Sequence, residues 1–388
     1  MYRPWLTSNL WKYFVILFTN RRNFIPILSV YYLTLPNTYA NEVWIYTGIG
    51  YASAMIFQIP SWYIADRWWQ KNTIILAKIF LIFSSVLFLF GDNLYAFILW
   101  ALCMSLGANS FSGGTLSSFL KWTLERLDRG NEFRHVSSKI AWNVSLLSVI
   151  FIVWLPFLTT IDIRLPLFVG LILDIVWFII ATQLVGVHTP IEKHEQKPFF
   201  VLLWEVFKTQ FFWYALFAGV ITWFLTADSA FRPLYLTELW YPLTYIGLVM
   251  GGSRIVWWMV WSSIHTIEKY VSSLTLVRIE LFLFPLYYIV ASYITNPWIL
   301  GILISCIVGW LWGRNEIYTD MLIENIPDPK YRATLLSVKL QIENIIQVVV
   351  IFAISGIMGI SYSLGFWVLG VVLLLLLISV YVYYFRKK

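Results

Sequence analysis

Val187-His188-Thr189-Pro190-Ile191-Glu192-Lys193-His194-Glu195-Gln196-Lys197-Pro198 is the one clearly water-soluble linker in a chain of 388 residues. Long apolar runs separated by short polar breaks lie on either side of it. A membrane helix needs about 20 mostly apolar residues. Six such runs precede the linker, at 12–35, 43–64, 72–91, 94–121, 138–160 and 165–186. Six follow it, at 211–236, 244–265, 272–294, 298–321, 334–359 and 364–385. Turns as tight as Gly91-Asp92-Asn93, Thr295-Asn296-Pro297 and Gly359-Ile360-Ser361 join antiparallel neighbours. The sequence thus predicts an all-α integral membrane protein with twelve transmembrane helices in two pseudo-symmetric six-helix halves. The halves span 1–187 and 209–388, and 188–208 forms a cytoplasmic linker whose amphipathic part, 199–208, lies at the membrane interface.

Composition points the same way. Sixty per cent of the residues are apolar or aromatic and 12% are charged, against roughly 25% charged in soluble domains. A soluble fold of this size could not hide so much apolar surface. The formal charge of +7 is topology and does not indicate nucleic-acid binding. With the N-terminus placed in the cytoplasm, most of the basic residues fall in cytoplasmic segments or at their borders. Arg3, Lys12, Arg126, Arg129, Arg134, Lys193, Lys197, Lys330 and Arg386-Lys387-Lys388 are examples, whereas Arg164 falls on the other side. Losing one helix would invert every later loop, so both termini are expected in the cytoplasm and the chain in the plasma (inner) membrane, as a monomer. The opening Met-Tyr-Arg-Pro-Trp has no early small-residue cleavage site and reads as no signal peptide. Cys103 and Cys306 fall in apolar runs and read as small core hydrophobes.

Six helices, a linker and six helices is the plan of many secondary transporters. Tyr46-Thr47-Gly48-Ile49-Gly50 in helix 2 parallels Tyr245-Ile246-Gly247-Leu248 in helix 8. Each is followed by a short cytoplasmic turn with an acid before a base, Asp66-Arg67 and Glu268-Lys269. On these residues the chain resembles the major facilitator superfamily, which carries a Gly-x-x-x-Asp-Arg-x-Gly-Arg-Arg-like loop between helices 2 and 3. Asp66, Arg67 and Lys71 keep that pattern, while Trp62, Trp69 and Gln70 replace other positions of it. Tyr331-Arg332-Ala333-Thr334-Leu335-Leu336-Ser337 resembles the Arg-Ala-Thr-x-x-Ser segment of a bacterial subgroup of these transporters. Phe111-Ser112-Gly113-Gly114-Thr115 on helix 4 resembles that subgroup's Ser-Gly-Thr-Asp-Glu segment without its acids. The resemblance implies alternating-access transport of a small molecule, with helices 1, 4, 7 and 10 lining a central cavity. It also implies a conformational gate formed by Asp66, Arg67, Lys71 and Arg332.

Ionisable residues at membrane depth usually face a cavity or a partner. Arg21 and Arg22 interrupt helix 1, roughly 13 Å beyond Lys12 at 1.5 Å per residue. Helix 7 carries Asp228 and Arg232, four apart and so on one face. Helix 10 carries Arg314 and Glu316. Arginines outnumber acids in this set, and guanidinium groups in a low-dielectric cavity orient carboxylates or phosphates. The expected substrate is therefore an amphipathic organic anion, with protons as the coupling ion and Asp228, Glu316 and Glu343 as candidate proton carriers. The alternatives are efflux of cationic or neutral drugs and a non-transporting scaffold or sensor of the same fold. Lys339 with Glu343 reads as a structural pair, and Arg254 as within reach of the cavity. Lys78, Arg278 and Glu280 lie near cytoplasmic ends and read as snorkelling side chains. Asp174 sits at mid-depth in a helix expected to face lipid, with no partner evident from sequence. No catalytic set emerges. Metal-ligand histidine spacing, an Asp-Asp-x-x-Asp run and a Walker-type glycine loop are all missing, so no cofactor, metal or enzymatic activity is expected.

Overall fold

The computed structural model describes residues 4–19, 25–36, 38–39, 42–67, 70–111, 113–186, 209–324 and 332–384. The anticipated linker and interfacial segment, 188–208, lies outside the described residues. The described residues are helical, with short connections, and the chain falls into two compact units. One comprises Met1–Lys193 together with Leu243–Gly247, and the other His194–Pro242 together with Leu248–Lys388.

In the first unit the helices are α1 (Pro4–Thr19), α2 (Ile25–Leu33), α3 (Val43–Arg67), α4 (Gln70–Phe90), α5 (Leu94–Ser105), α6 (Gly113–Arg126), α7 (Phe133–Trp154) and α8 (Leu165–Thr182). They follow the order of the six apolar runs expected before residue 187. α1 and α2 flank residues 20–24, and α1 begins earlier than expected, at Pro4. Proline suits the first helical position, where no intrahelical N–H bond is needed. α5 and α6 form the fourth span, with a π-helical stretch, Leu106–Phe111, after α5. Gly107 in that stretch lets the backbone approach α4, since a Cβ there would lie 2.7 Å from Leu81 Cγ and 2.8 Å from the Ala77 carbonyl oxygen.

Polar side chains tie this unit together inside its apolar core. Asn9 brackets the Val185 backbone, donating from Nδ2 at 3.0 Å and accepting the Val185 N–H at 3.0 Å. Lys12 donates to the Gln183 carbonyl at 2.7 Å, placing a cation at the carboxyl end of α8, where the helix dipole favours it. Ser85 of α4 donates to Asp174 of α8 at 2.6 Å, which supplies the account of Asp174 that sequence lacks: it is buried against α4. Lys78 does not snorkel. It is fully buried, and its Nζ donates to Thr19 at 3.1 Å.

In the second unit the helices are α9 (Gln210–Ala227), α10 (Phe231–Glu238), α11 (Ile246–Ser262), α12 (Ile264–Tyr270), α13 (Ser273–Tyr293), α14 (Pro297–Glu324), α15 (Arg332–Met358) and α16 (Tyr362–Tyr383). α9 and α10 form the seventh span, broken by a 3-10 turn at Asp228–Ala230. Pro233 explains the break, because it lacks an N–H and its ring crowds the carbonyl four residues earlier. A stripe of small residues, Gly301, Ser305, Gly309 and Gly313, recurs every four positions on α14 and faces α11. A Cβ at Gly309 would lie 2.5 Å from Val256 Cβ, and one at Gly313 2.5 Å from Val260 Cβ. Ser305 donates to the Val249 carbonyl at 2.8 Å. Without apolar transfer to drive it, helix association in lipid relies on such close backbone packing. Both cysteines are free thiols; Cys103 is half-buried and Cys306 is exposed, so the expectation of a core position fails for Cys306.

Eight helices of the described residues are long and apolar enough to cross a membrane, and three shorter apolar helices accompany them. The architecture is that of a multi-pass membrane protein with the expected helix order.

Candidate functional site

The charged core of the second unit is built from three helices and a break. At the break in the seventh span, Asp228 and Arg232 are 0% and 4% exposed. Arg232 Nε donates to Asp228 Oδ2 at 3.0 Å, and its Nη2 reaches Asp228 Oδ1 and the Leu225 carbonyl. The guanidinium therefore engages both carboxylate oxygens and the Leu225 backbone carbonyl. Tyr287 and Tyr288 of α13 lie beside the pair. Tyr235 of α10 donates to the Ala291 carbonyl at 3.1 Å, fixing α10 against α13.

Two turns along α13 lies a second pair. Arg314 Nη1 is 3.0 Å from Glu280 Oε2, and the two side chains are 2% and 0% exposed. Trp310, Arg314 and Tyr318 recur every four residues on α14 and converge on Glu280. Tyr318 donates to Oε2 at 2.9 Å and Trp310 Nε1 to Oε1 at 3.1 Å. This stripe lies one position on from the glycine stripe. Close packing of the glycines on α11 thus turns Arg314 toward α13 and α9. Its guanidinium lies over the rings of Phe284 and Tyr318, 5.1 and 4.6 Å from their centroids, a cation–π arrangement. Arg314 Nη2 lies 3.5 Å from the Ala218 carbonyl, and Nε has no hydrogen-bond partner among the described residues. Ala218 and Leu225 are seven residues apart on α9, so both arginines address one face of that helix.

Of the residues singled out from sequence, the structure brings Asp228 together with Arg232 and gives Arg314 a partner that sequence reading missed. Glu280 does not snorkel as expected. Arg314 and its aromatic neighbours hold it in the core, while Arg278, two residues earlier, is the exposed one and donates to Tyr381 at 3.0 Å. The missed signal was the Trp310–Arg314–Tyr318 spacing, a polar-aromatic stripe needing an acid opposite it. Arg21 and Arg22 lie outside the described residues. Asp66 and Arg67 close α3, Lys71 is the second residue of α4, Arg332 opens α15, and Glu316 and Glu343 lie along α14 and α15. Apart from Lys71, which is half-buried, the side chains of these residues are outside the described set. No group of three or more metal-ligating side chains occurs among the described residues.

In the fourth span the hydroxyls of Ser105 and Thr115, before and after the π-helical stretch, are buried without hydrogen-bond partners among the described residues. Two exposed ion pairs lie at the end of α6 and in the connection that follows it: Lys121 lies 4.0 Å from Glu125, and Arg129 meets Glu132 at 2.6 Å.

No family model matches the sequence, and no curated protein matches it. Solved structures do match. A point mutant of the nucleoside transporter NupG aligns with a TM-score of 0.75 and 14% identity, over 96% of this chain and 99% of that one. A bacterial homologue of the human lysosomal transporter Spinster, inward-facing and unoccupied, aligns at 0.70 and 13%, over 100% and 97%. The POT-family transporter PepTSo aligns at 0.71 and 11%, over 99% and 98%. The chain has the major facilitator fold. At such identities the likeness shows the helix framework alone.

Proposed function

We propose that this chain is a secondary active transporter of the major facilitator type, working by alternating access in the inner membrane with both termini cytoplasmic. Its substrate is a small amphipathic organic anion, coupled to protons. The observation that carries the reading is the buried Glu280–Arg314 pair, whose guanidinium keeps an unpartnered Nε at full burial. A charge at membrane depth is costly and marks a solute or ion pathway more often than a packing device. The transporter framework of the structural neighbours supports the same conclusion. Arg21 and Arg22 add positive charge to the anticipated cavity, and Asp66, Arg67, Lys71 and Arg332 form the cytoplasmic gate implied by the sequence resemblance.

The test is a thermal-shift screen of the purified protein in detergent with benzoate, rhodamine 6G and maltose. A ligand that binds only the folded state raises its apparent stability by mass action, by about 2.7 kcal/mol at a hundredfold excess over Kd. Stabilisation by benzoate, weakened by Arg314→Lys, is expected. Stabilisation by rhodamine alone would replace the anion reading with cation efflux. Cysteines introduced at the two ends of the spans should alternate in accessibility; a fixed pattern would favour a scaffold.

A further inference from the structure

Arg278 stands apart from the buried charges of the second unit. It lies about 7–8 Å into α13 from Ser273, at 1.5 Å per residue, and it is exposed. The row that continues from it along α13 is apolar. Ile279, Phe282, Leu286 and Val290 follow at helical spacing, and all are exposed. In a membrane-spanning helix such a row meets lipid tails, and here it carries a cation at one end. That cation is held in place. Its Nε donates to the Tyr381 hydroxyl of α16 at 3.0 Å. The two helices sit closely along the seam that positions this contact: a Cβ at Gly370 of α16 would lie 3.0 Å from the Pro285 carbonyl oxygen and 2.7 Å from Ile289 Cγ1.

The phenol is a neutral partner and accepts one N–H of the guanidinium. No carboxylate pairs with Arg278 among the described residues. α16 carries no Asp or Glu, and Glu280, the acid of α13, is buried on Arg314. The two Nη groups therefore keep the fork that matches a pair of anionic oxygens. The end of α16 gives the depth. Tyr383 and Tyr384 lie against Trp213 of α9, with ring centroids 4.9 and 5.4 Å apart, and the second pair is stacked. Trp and Tyr collect at the membrane–water boundary, level with the lipid headgroups. Arg278 meets α16 within one turn of that cluster. The exposed Lys269 in the last turn of α12 and the terminal Arg386-Lys387-Lys388, which follow α16 in sequence, add positive charge at the same end of these helices.

We propose that Arg278, positioned by Tyr381, is a binding site for one anionic phospholipid. The guanidinium takes the phosphodiester, and the apolar row of α13 takes an acyl chain. With the topology given above, the lipid belongs to the cytoplasmic leaflet. Charge selects the headgroup. A zwitterionic lipid brings its own cation into surroundings that are already basic, whereas a net-negative one supplies the counterion that Arg278 lacks within the described chain. The site is separate from the charged core and from any solute pathway, so it stands whatever the transported substrate is.

The experiment is native mass spectrometry of the full chain released from detergent, with phosphatidylglycerol or phosphatidylcholine titrated in. One phosphatidylglycerol should be retained, about tenfold more tightly than phosphatidylcholine. Arg278→Gln should raise its Kd by about tenfold or more, as loss of a charge-assisted hydrogen bond implies. Tyr381→Phe keeps the charge and loses its anchor, and should raise Kd by about two- to tenfold, the scale of one hydrogen bond. Arg278→Lys should fall between wild type and Arg278→Gln, because it keeps the charge without the fork. Changing Arg386, Lys387 and Lys388 together to Gln should leave the retained lipid in place. Arg278 is exposed, so Arg278→Gln should keep the wild-type thermal midpoint in lipid-free detergent. Unchanged retention in Arg278→Gln, equal retention of the two lipids, or loss of the lipid through the tail changes alone would each overturn the proposal. Inorganic phosphate and glycerol phosphate should not displace the lipid at equal concentration. Displacement would make this a site for free phosphate instead. A dimer that carries no lipid and dissociates in Arg278→Gln would assign the face to a second copy of the chain and overturn the lipid reading.

Discussion

Arg232 offers the most demanding test of the charged core. Replacing it by Gln removes the guanidinium from both oxygens of Asp228 and from the Leu225 carbonyl at the helix break. Breaking a buried pair by deleting one partner costs about 3–5 kcal/mol, because the other charge stays behind uncompensated. Arg232→Gln should therefore lose about 4 kcal/mol or more of unfolding free energy. In Asp228→Asn with Arg232→Gln, no charge remains and the two amides can bond across the same turn. The double variant should recover most of the loss, and since Asp228→Asn alone also strands a buried charge, the coupling energy should reach about 3 kcal/mol or more, the upper end for residues in direct contact. The assay is equilibrium unfolding by a denaturing detergent, followed by tryptophan fluorescence and far-ultraviolet circular dichroism. The exposed pair Lys121–Glu125 is the control, with coupling no larger than about 1 kcal/mol. Additive losses in the double variant, or a loss under about 1 kcal/mol in Arg232→Gln, would refute the role given to this pair.

Gly309→Val should destabilise the second unit by about 1–3 kcal/mol, the usual cost of overpacking, because a Cβ there meets Val256 and the Ser253 carbonyl. Gly356→Ala has open space around it and should be neutral or slightly stabilising in the same unfolding assay. Ser85→Ala removes the hydroxyl that donates to buried Asp174 and should cost about 1–3 kcal/mol, with Asp174→Asn milder since its amide oxygen still accepts. In the loop between the fourth and fifth spans, the hydrogen bond from Arg129 holds the Glu132 carboxyl below the usual carboxylate range. The stabilisation from that contact is present above the ordinary carboxylate range and vanishes as pH falls through the lowered value. Arg129→Gln should return the carboxyl resonance of Glu132 to an ordinary titration midpoint in a carbon-detected NMR titration.

Composition and apolar run length determined that this is a polytopic helical protein, and the position of the polar stretch 187–198 led to the expectation of six spans on either side of it. Those properties are local: a run of about 20 apolar residues has few options in water, and a polar break between two such runs is a turn in any tertiary arrangement. The Asp228–Arg232 pair was legible for the same reason, since residues four apart meet on any helix. The break beneath it was signalled by Pro233, although only the structure shows the arginine reaching the Leu225 carbonyl. Glu280 and Lys78 could not be read this way. Both lie close enough to a helix end to snorkel, and whether a long side chain reaches water or turns inward depends on which neighbour the helix faces. For Lys78 the tertiary structure settled that by placing Thr19 of α1 against its Nζ, and for Glu280 through the glycine stripe of α14. By seating one face of that helix against α11, it directs Arg314, Trp310 and Tyr318 at a carboxylate on α13. Burial there is tolerable only because three donors from a single helix converge on one acid. Residue spacing along either helix alone cannot express that condition, which requires both helices packed together.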